Sequence, residues 1–134
     1  MSNINNENEK IIKKGFLYKK SKYLGNWKKR FIVLTENYIF AYVEDHLNSE
    51  CTMNLTISDC YGPKHLQLEN NNEYGFSFSN EGKIYCFKTN NQEEMNSWFD
   101  ALREAFSHYS YINMIILIKS YIKYINKILN IGFD

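Results

Sequence analysis

Seven short strand-like segments precede a single change in the period of the apolar residues, and this order restricts the fold more than any other feature. The segments are rich in aromatic and β-branched residues, and turn-forming Gly, Asn and Pro lie between them. The predicted strands are Lys14–Lys20, Trp27–Leu34, Tyr38–Val43, Cys51–Leu55, His65–Glu69, Tyr74–Ser79 and Lys83–Thr89. Short loops join the first three, which therefore should form an antiparallel meander.

After the last predicted strand, the apolar residues recur at helical spacing. They are Met95, Trp98, Phe99, Leu102, Ala105 and Phe106, which form one stripe along a helix. Asn90 followed by Glu93 resembles a capping box at its start. A seven-stranded sheet must bury one face, and this helix is available to cover it. We therefore predict a mainly β fold, a bent antiparallel sheet or open barrel with a C-terminal helix, in which Trp98 is a core residue.

A second apolar segment, Tyr109–Phe133, follows Ser107 and carries lysines at every fourth position, namely Lys119, Lys123 and Lys127. This pattern predicts a basic amphipathic helix. Its uninterrupted apolar run ends at Ile118, too early for a transmembrane span of about 20 residues. Four interpretations remain open: the helix packs along the barrel, lies on a membrane, pairs with another copy, or is low-complexity sequence with no selected role. The predicted organisation is a disordered N-terminus over 1–10, one domain over 11–108 and a helical extension over 109–134.

Charge is distributed very unevenly although the formal net charge is only +1. From residue 10 to residue 30 there is no acidic residue, and the nine basic ones are Lys10, Lys13, Lys14, Lys19, Lys20, Lys22, Lys28, Lys29 and Arg30. From residue 31 to residue 110 only four basic residues stand against twelve Asp or Glu. A basic edge on an acidic body is attracted to a negative surface and is oriented by it.

Three cysteines, Cys51, Cys60 and Cys86, form no CxxC pair, so we expect neither a secreted disulfide framework nor a zinc site. The N-terminus has no apolar signal core, and we expect the protein in the cytoplasm or at the cytosolic face of a membrane. No phosphate-cradling glycine loop, HExxH motif or nucleophile elbow is present. We therefore expect a binding module that is not an enzyme and has no cofactor.

Three stretches resemble the conserved parts of one family. GFLYK (15–19), WKKRFIVL (27–34) and EEMNSWFDAL (93–102) are similar to the opening strands and the closing helix of pleckstrin-homology (PH) domains. The resemblance covers about residues 13–107. It implies a seven-stranded bent barrel capped by an α-helix, and a module that recruits a protein to membranes by binding anionic phospholipid head groups, chiefly phosphoinositides.

The resemblance also implies which residues bind the head group. Phosphoinositide-binding members carry a spaced basic motif that Lys19, Lys28 and Arg30 match, and these three residues would line the pocket at the open end of the barrel. Residues 28 and 30 share one face of a strand, and Lys19 ends the partner strand. Phosphate monoesters carry nearly two negative charges, so recognising several of them needs convergent cations, of which Arg30 can bind bidentately.

The loop between the first two predicted strands carries the accessory contacts. Lys20 and Lys22 would supply non-specific attraction to the membrane surface, while Tyr23 and Leu24 at the loop tip could enter the interface.

One position departs from the pattern of the family and leaves a second function open. Some members that bind 3-phosphorylated inositides tightly carry a Tyr late in the third strand, where this chain has Ala41. Together with the apolar tail, this favours an alternative, a protein-interaction scaffold or oligomerising module without specific lipid binding. Nucleic acid is a poor partner because the acidic body would repel a polyanion.

Overall fold

The computed structural model describes residues 9–21, 25–46 and 48–129. Seven strands and one helix follow one another along the chain. They are β1 (Ile11–Lys20), β2 (Trp27–Thr35), β3 (Tyr38–Tyr42), β4 (Cys51–Thr56), β5 (Cys60–Leu66), β6 (Tyr74–Asn80), β7 (Lys83–Thr89) and α1 (Gln92–Ile128), with a short 3-10 turn, Ile57–Asp59, before β5. The predicted sheet followed by a helix is confirmed.

All seven strands belong to one antiparallel sheet with the order β4-β3-β2-β1-β7-β6-β5. The sheet bends around a core to which every strand contributes, and α1 inserts Met95, Trp98, Leu102 and Phe106 into it. The aromatic rings of Phe76, Phe78 and Phe87 stack on one another inside the bend, and the ring of Phe106 meets Phe78 edge-on. The helix thus completes the core that the sheet alone would leave open.

Trp98 is the largest fully buried side chain, with none of its surface exposed. Its Nε1 donates a hydrogen bond to Glu94 Oε1 at 3.0 Å. Lys13 Nζ lies 5.2 Å from the Trp98 ring centroid and 3.5 Å from Glu94 Oε1. The predicted core position of Trp98 is confirmed, and its one polar atom is satisfied, as buried polar atoms generally are.

The fifth strand differs from the prediction. It spans Cys60–Leu66, earlier than the predicted His65–Glu69, because Gly62-Pro63 lies inside the strand and does not end it. The register with β6 shifts between Tyr61 and Lys64, around this pair. β5 is an edge strand, where a proline without an N–H disturbs no inner ladder.

The helix also differs from the prediction, at its start and in its length. Asn91 is the N-cap, and its side chain accepts from the Glu94 backbone N–H, so the predicted cap at Asn90 is wrong by one residue. The two predicted helical stretches form one helix of 37 residues, about 55 Å long at roughly 1.5 Å per residue. It contains no Gly or Pro that would break it. Among the described residues, no helix is long and apolar enough to cross a membrane.

Candidate functional site: the basic end of the sheet

The register between β1 and β2 decides which basic side chains lie together. Lys19 pairs directly with Lys28, and Arg30 pairs with Leu17. Directly opposed residues share a face of a sheet, and alternate residues of one strand do so too. Since Leu17 is buried in the core, Lys19, Lys28 and Arg30 belong to the inner face of the bent sheet. They extend that face beyond the core to the end where the β1–β2 loop lies, which we call the open end.

A cleft of about 350 Å³ lies at this open end. It is bounded by the end of β1, by β4 and by the β6–β7 hairpin, and its lining includes Lys19, Lys20, Asn54, Lys83 and Tyr85. Lys19 Nζ lies 5.8 Å from the Tyr85 ring centroid. Lys28 is exposed and Arg30 half-buried, and neither is among the residues that line the cleft.

Some basic side chains near the sheet are paired with carboxylates, whereas others are not. Lys13, near the helix, is paired with Glu94, and Lys88 is paired with Glu73 at 3.0 Å. Within residues 9–21, 25–46 and 48–129, no carboxylate lies within ion-pair distance of Lys28 or Arg30. One guanidinium nitrogen of Arg30 donates to the Lys29 carbonyl at 2.9 Å. Lys28 and Arg30 therefore carry positive charge that no carboxylate in the described part of the protein pairs with.

Sequence reasoning missed Lys83, which was counted only as one of the few basic residues in the acidic body. The first residue of β7, it is exposed and lines the cleft with Lys19. The alternation of faces along β7 could have revealed it. Lys83, Tyr85 and Phe87 are two residues apart and share one face of the strand, and the side chains of Tyr85 and Phe87 face the core.

Of the residues predicted to contact the membrane surface, only Lys20 is among the described residues. Lys20 is exposed, pairs in register with Trp27 and places its Nζ 5.9 Å from the Trp27 ring centroid. Lys29, on the outer face, lies over the Phe16 ring at 4.6 Å. The other predicted membrane contacts, Lys22, Tyr23 and Leu24, lie outside the described residues.

The opposite end of the sheet has a different character. A larger cleft of about 660 Å³ is lined there by the start of β1, by Glu36 and Asn37 of the β2–β3 turn, and by α1 near Tyr109. The Tyr109 hydroxyl contacts Asn37 Oδ1. Burial, and secondarily the nearby Glu9 carboxylate, raises the pKa of Tyr109. Both charge signs line this cleft, including Lys10, Glu36 and Glu104, so it does not resemble an anion site.

The three thiols and the potential metal ligands were compared with what nucleophilic and metal sites require. Burial raises the pKa of the Cys51, Cys60 and Cys86 thiols, which disfavours the thiolate form that nucleophiles and metal ligands need. Within the described ranges, no cluster of three or more His, Cys, Asp or Glu could hold a metal ion.

Comparisons with known proteins agree with this architecture. The family model for the PH domain matches residues 11–107. A curated relative, the phosphatidylinositol 4,5-bisphosphate-binding protein SLM1 of Saccharomyces cerevisiae, is 27% identical in an alignment 108 residues long. The alignment covers 69% of this chain and 16% of that protein. The chain therefore spans about a sixth of that relative.

Solved structures give the same result. The Slm1-PH domain in complex with phosphoserine is 30% identical, with a TM-score of 0.63, over 72% of this chain and 96% of that one. The complex of Slm1-PH with inositol-4-phosphate is 27% identical, with a TM-score of 0.59, over 72% and 95% of the two chains. The C-terminal PH domain of pleckstrin, at 22% identity and a TM-score of 0.58 over 72% and 97%, shares the fold. The chain belongs to the PH domain family.

Proposed function

We propose that the protein is a peripheral membrane module, not an enzyme, and that its open end binds the phosphorylated head group of an anionic phospholipid, a phosphoinositide, at the cytosolic face of a membrane. The observation that carries the proposal is the direct pairing of Lys19 with Lys28, with Arg30 on the same face. Like charges directly opposed across strands are destabilising. A bound phosphate would relieve this repulsion and would receive charge-assisted hydrogen bonds.

The roles follow from chemistry and position. Arg30 can bind one phosphate bidentately, while Lys19 and Lys28 act as point charges beside it. Lys83 and Asn54, in the cleft that Lys19 lines, would extend the site toward a second phosphate. Lys20, with Lys22, Tyr23 and Leu24, would contact the surrounding membrane surface.

The relatives support this assignment of ligand class. SLM1 is a phosphatidylinositol 4,5-bisphosphate-binding protein, and its PH domain has been crystallised with inositol-4-phosphate. Another structure of that domain demonstrates ligand binding at a site other than the usual one. A test on this chain therefore needs a control surface of equal charge, and the outer face of the β1–β2 hairpin provides one.

Binding to vesicles distinguishes the two faces. We expect the full chain to co-sediment with phosphatidylcholine vesicles that contain phosphatidylinositol 4,5-bisphosphate. Removal of two site cations in a Lys28→Ala/Arg30→Ala variant should weaken binding at least about 30-fold, since each basic residue near an anionic surface contributes about 1 kcal/mol.

The matched control removes the same charge from the outer face. Lys14 and Lys29 are both exposed, and a Lys14→Ala/Lys29→Ala variant loses two lysines of the same hairpin. We expect it to bind better than the inner-face variant to the phosphoinositide vesicles, and equally to phosphatidylserine vesicles of matched charge. The proposal would be overturned if the inner-face variant bound as well as the wild type while the outer-face variant lost binding. That result would assign the ligand to the outer face.

A further inference from the structure

The second half of α1 leaves the domain as an unpartnered apolar helix. Up to Tyr109 the helix packs on the sheet, but no residue from 110 to 129 is buried. In this described part, the interpretation that the tail packs along the barrel is therefore wrong. Ten large apolar side chains beyond Tyr109 are at least half exposed, and one of them, Ile116, lies on the opposite side of the helix from the others. The nine that share one face are Tyr111, Met114, Leu117, Ile118, Tyr121, Ile122, Tyr124, Ile128 and Leu129.

These residues follow a heptad repeat. With Tyr111 as the first a position, a and d are Tyr111, Met114, Ile118, Tyr121, Ile125 and Ile128. The e and g positions from 115 onward are apolar too, namely Ile115, Leu117, Ile122, Tyr124 and Leu129. An apolar a/d repeat is the pattern by which helices pair, and apolar e and g positions widen the face beyond a simple seam.

The size of the face fits a macromolecular interface. At roughly 150 Å² for each large side chain and exposures of 50–69%, the nine residues leave roughly 800 Å² of largely apolar surface open. The largest apolar patch of a typical monomer is about 300–600 Å², whereas each partner in a standard interface buries about 800 Å².

The lysines of the free helix leave its apolar face uninterrupted. Lys119, Lys123 and Lys127 fall at heptad positions b, f and c, on the side opposite the apolar face. In a helix bundle, the same positions are solvated and do not face one another.

The free helix starts at the end of the domain away from the open end. The free segment starts beside the β2–β3 turn, where Tyr109 contacts Asn37. β1 runs from that end, at Ile11, to Lys19 at the open end, a distance of about 26 Å at roughly 3.3 Å per residue. Contact through the free helix and head-group binding thus use opposite ends of the domain.

We propose that residues 110–129 are a self-association helix, which packs its apolar face against the same segment of a second copy of this chain. The surface is the a, d, e and g face defined above. The proposal is independent of the lipid site, because it places the interface at the end of the domain away from Lys19, Lys28 and Arg30.

Sedimentation equilibrium of the full chain tests the proposal. We expect a molar mass of at least twice the monomer value of 16.0 kDa at tens of micromolar protein. An Ile118→Lys/Ile125→Lys variant, altered at two a positions, should sediment as a monomer. An Asn113→Lys/Ser120→Lys variant adds the same two charges to the polar side and should remain associated. Circular dichroism checks that both variants keep the folded domain, which α1 completes before residue 110.

Two results would overturn the proposal. One is equal dissociation of the two lysine-addition variants. The other is a wild-type chain that is monomeric at all concentrations. If that monomer also binds phosphatidylcholine–phosphatidylserine vesicles through Ile118 and Ile125, the membrane is the occupant. Loss of lipid binding can be distinguished from loss of self-association, because the Lys28→Ala/Arg30→Ala variant should keep the molar mass of the associated wild type.

Discussion

Trp98→Ala should lower the free energy of unfolding by about 3–5 kcal/mol, the cost typical of emptying a large aromatic site in a core. Trp98 is fully buried and contacts residues from both the helix and the sheet. The substitution also removes the hydrogen-bond donor to Glu94. Domains of this size commonly have only 5–15 kcal/mol of stability, so the variant should be close to unfolding at physiological temperature.

Denaturant unfolding at one fixed protein concentration, followed by circular dichroism, measures this loss. Ile84→Ala is the matched control, since Ile84 is a large apolar residue of β7 that is 73% exposed. Its truncation should change stability by no more than about 0.5 kcal/mol. A Trp98→Ala loss below about 1 kcal/mol would contradict the central role of this side chain.

Charge reversal at the open end should have a larger effect on lipid binding than neutralisation. Lys28→Glu/Arg30→Glu changes the local charge by four units, where the double alanine variant changes it by two. At about 1 kcal/mol per charge, affinity for phosphatidylinositol 4,5-bisphosphate vesicles should fall by about 1,000-fold. A carboxylate at position 28 would also face Lys19 directly across the strand pair and neutralise it.

The control reverses charge on the outer face, as Lys14→Glu/Lys29→Glu, and is expected to retain measurably more binding. Raising the salt concentration should reduce the binding of the wild type, because exposed charges are screened beyond about 8–10 Å. Losses of equal size for reversal and neutralisation would show that the contribution of these side chains is not electrostatic, and the head-group site would then have to lie elsewhere.

Local pattern was sufficient for most elements of the fold. Strand-forming composition between turn residues predicted β6 and β7 within one residue at each end, and helical spacing predicted the buried stripe from Met95 to Phe106. β5 was misplaced because Gly62-Pro63 has the composition of a turn, and only the sheet order reveals that it lies in an edge strand. A proline is tolerated there for reasons that no local window contains.

The sequence was enough to predict which basic residues share a face of the sheet, but not how far the site extends. The spacing of Lys28 and Arg30 was enough to place them on one face, and the β1–β2 register adds Lys19. Lys83 comes from a hairpin more than fifty residues away in the chain, so its arrival in the same cleft depends on the bending of the sheet. Such convergence is a property of tertiary structure. Whether these residues bind lipid stays a prediction.

The separation of the free helix from the open end affects how tightly an assembled protein would hold a membrane. If copies join through the helix, each keeps its own head-group site accessible, and a bound first site raises the effective concentration of the second at the bilayer. Avidity of this kind can exceed the single-site affinity by about 10²–10⁴-fold without a new contact. Membrane residence would then depend steeply on the surface density of the lipid, so that a module with weak individual sites could respond sharply to a small rise in its ligand.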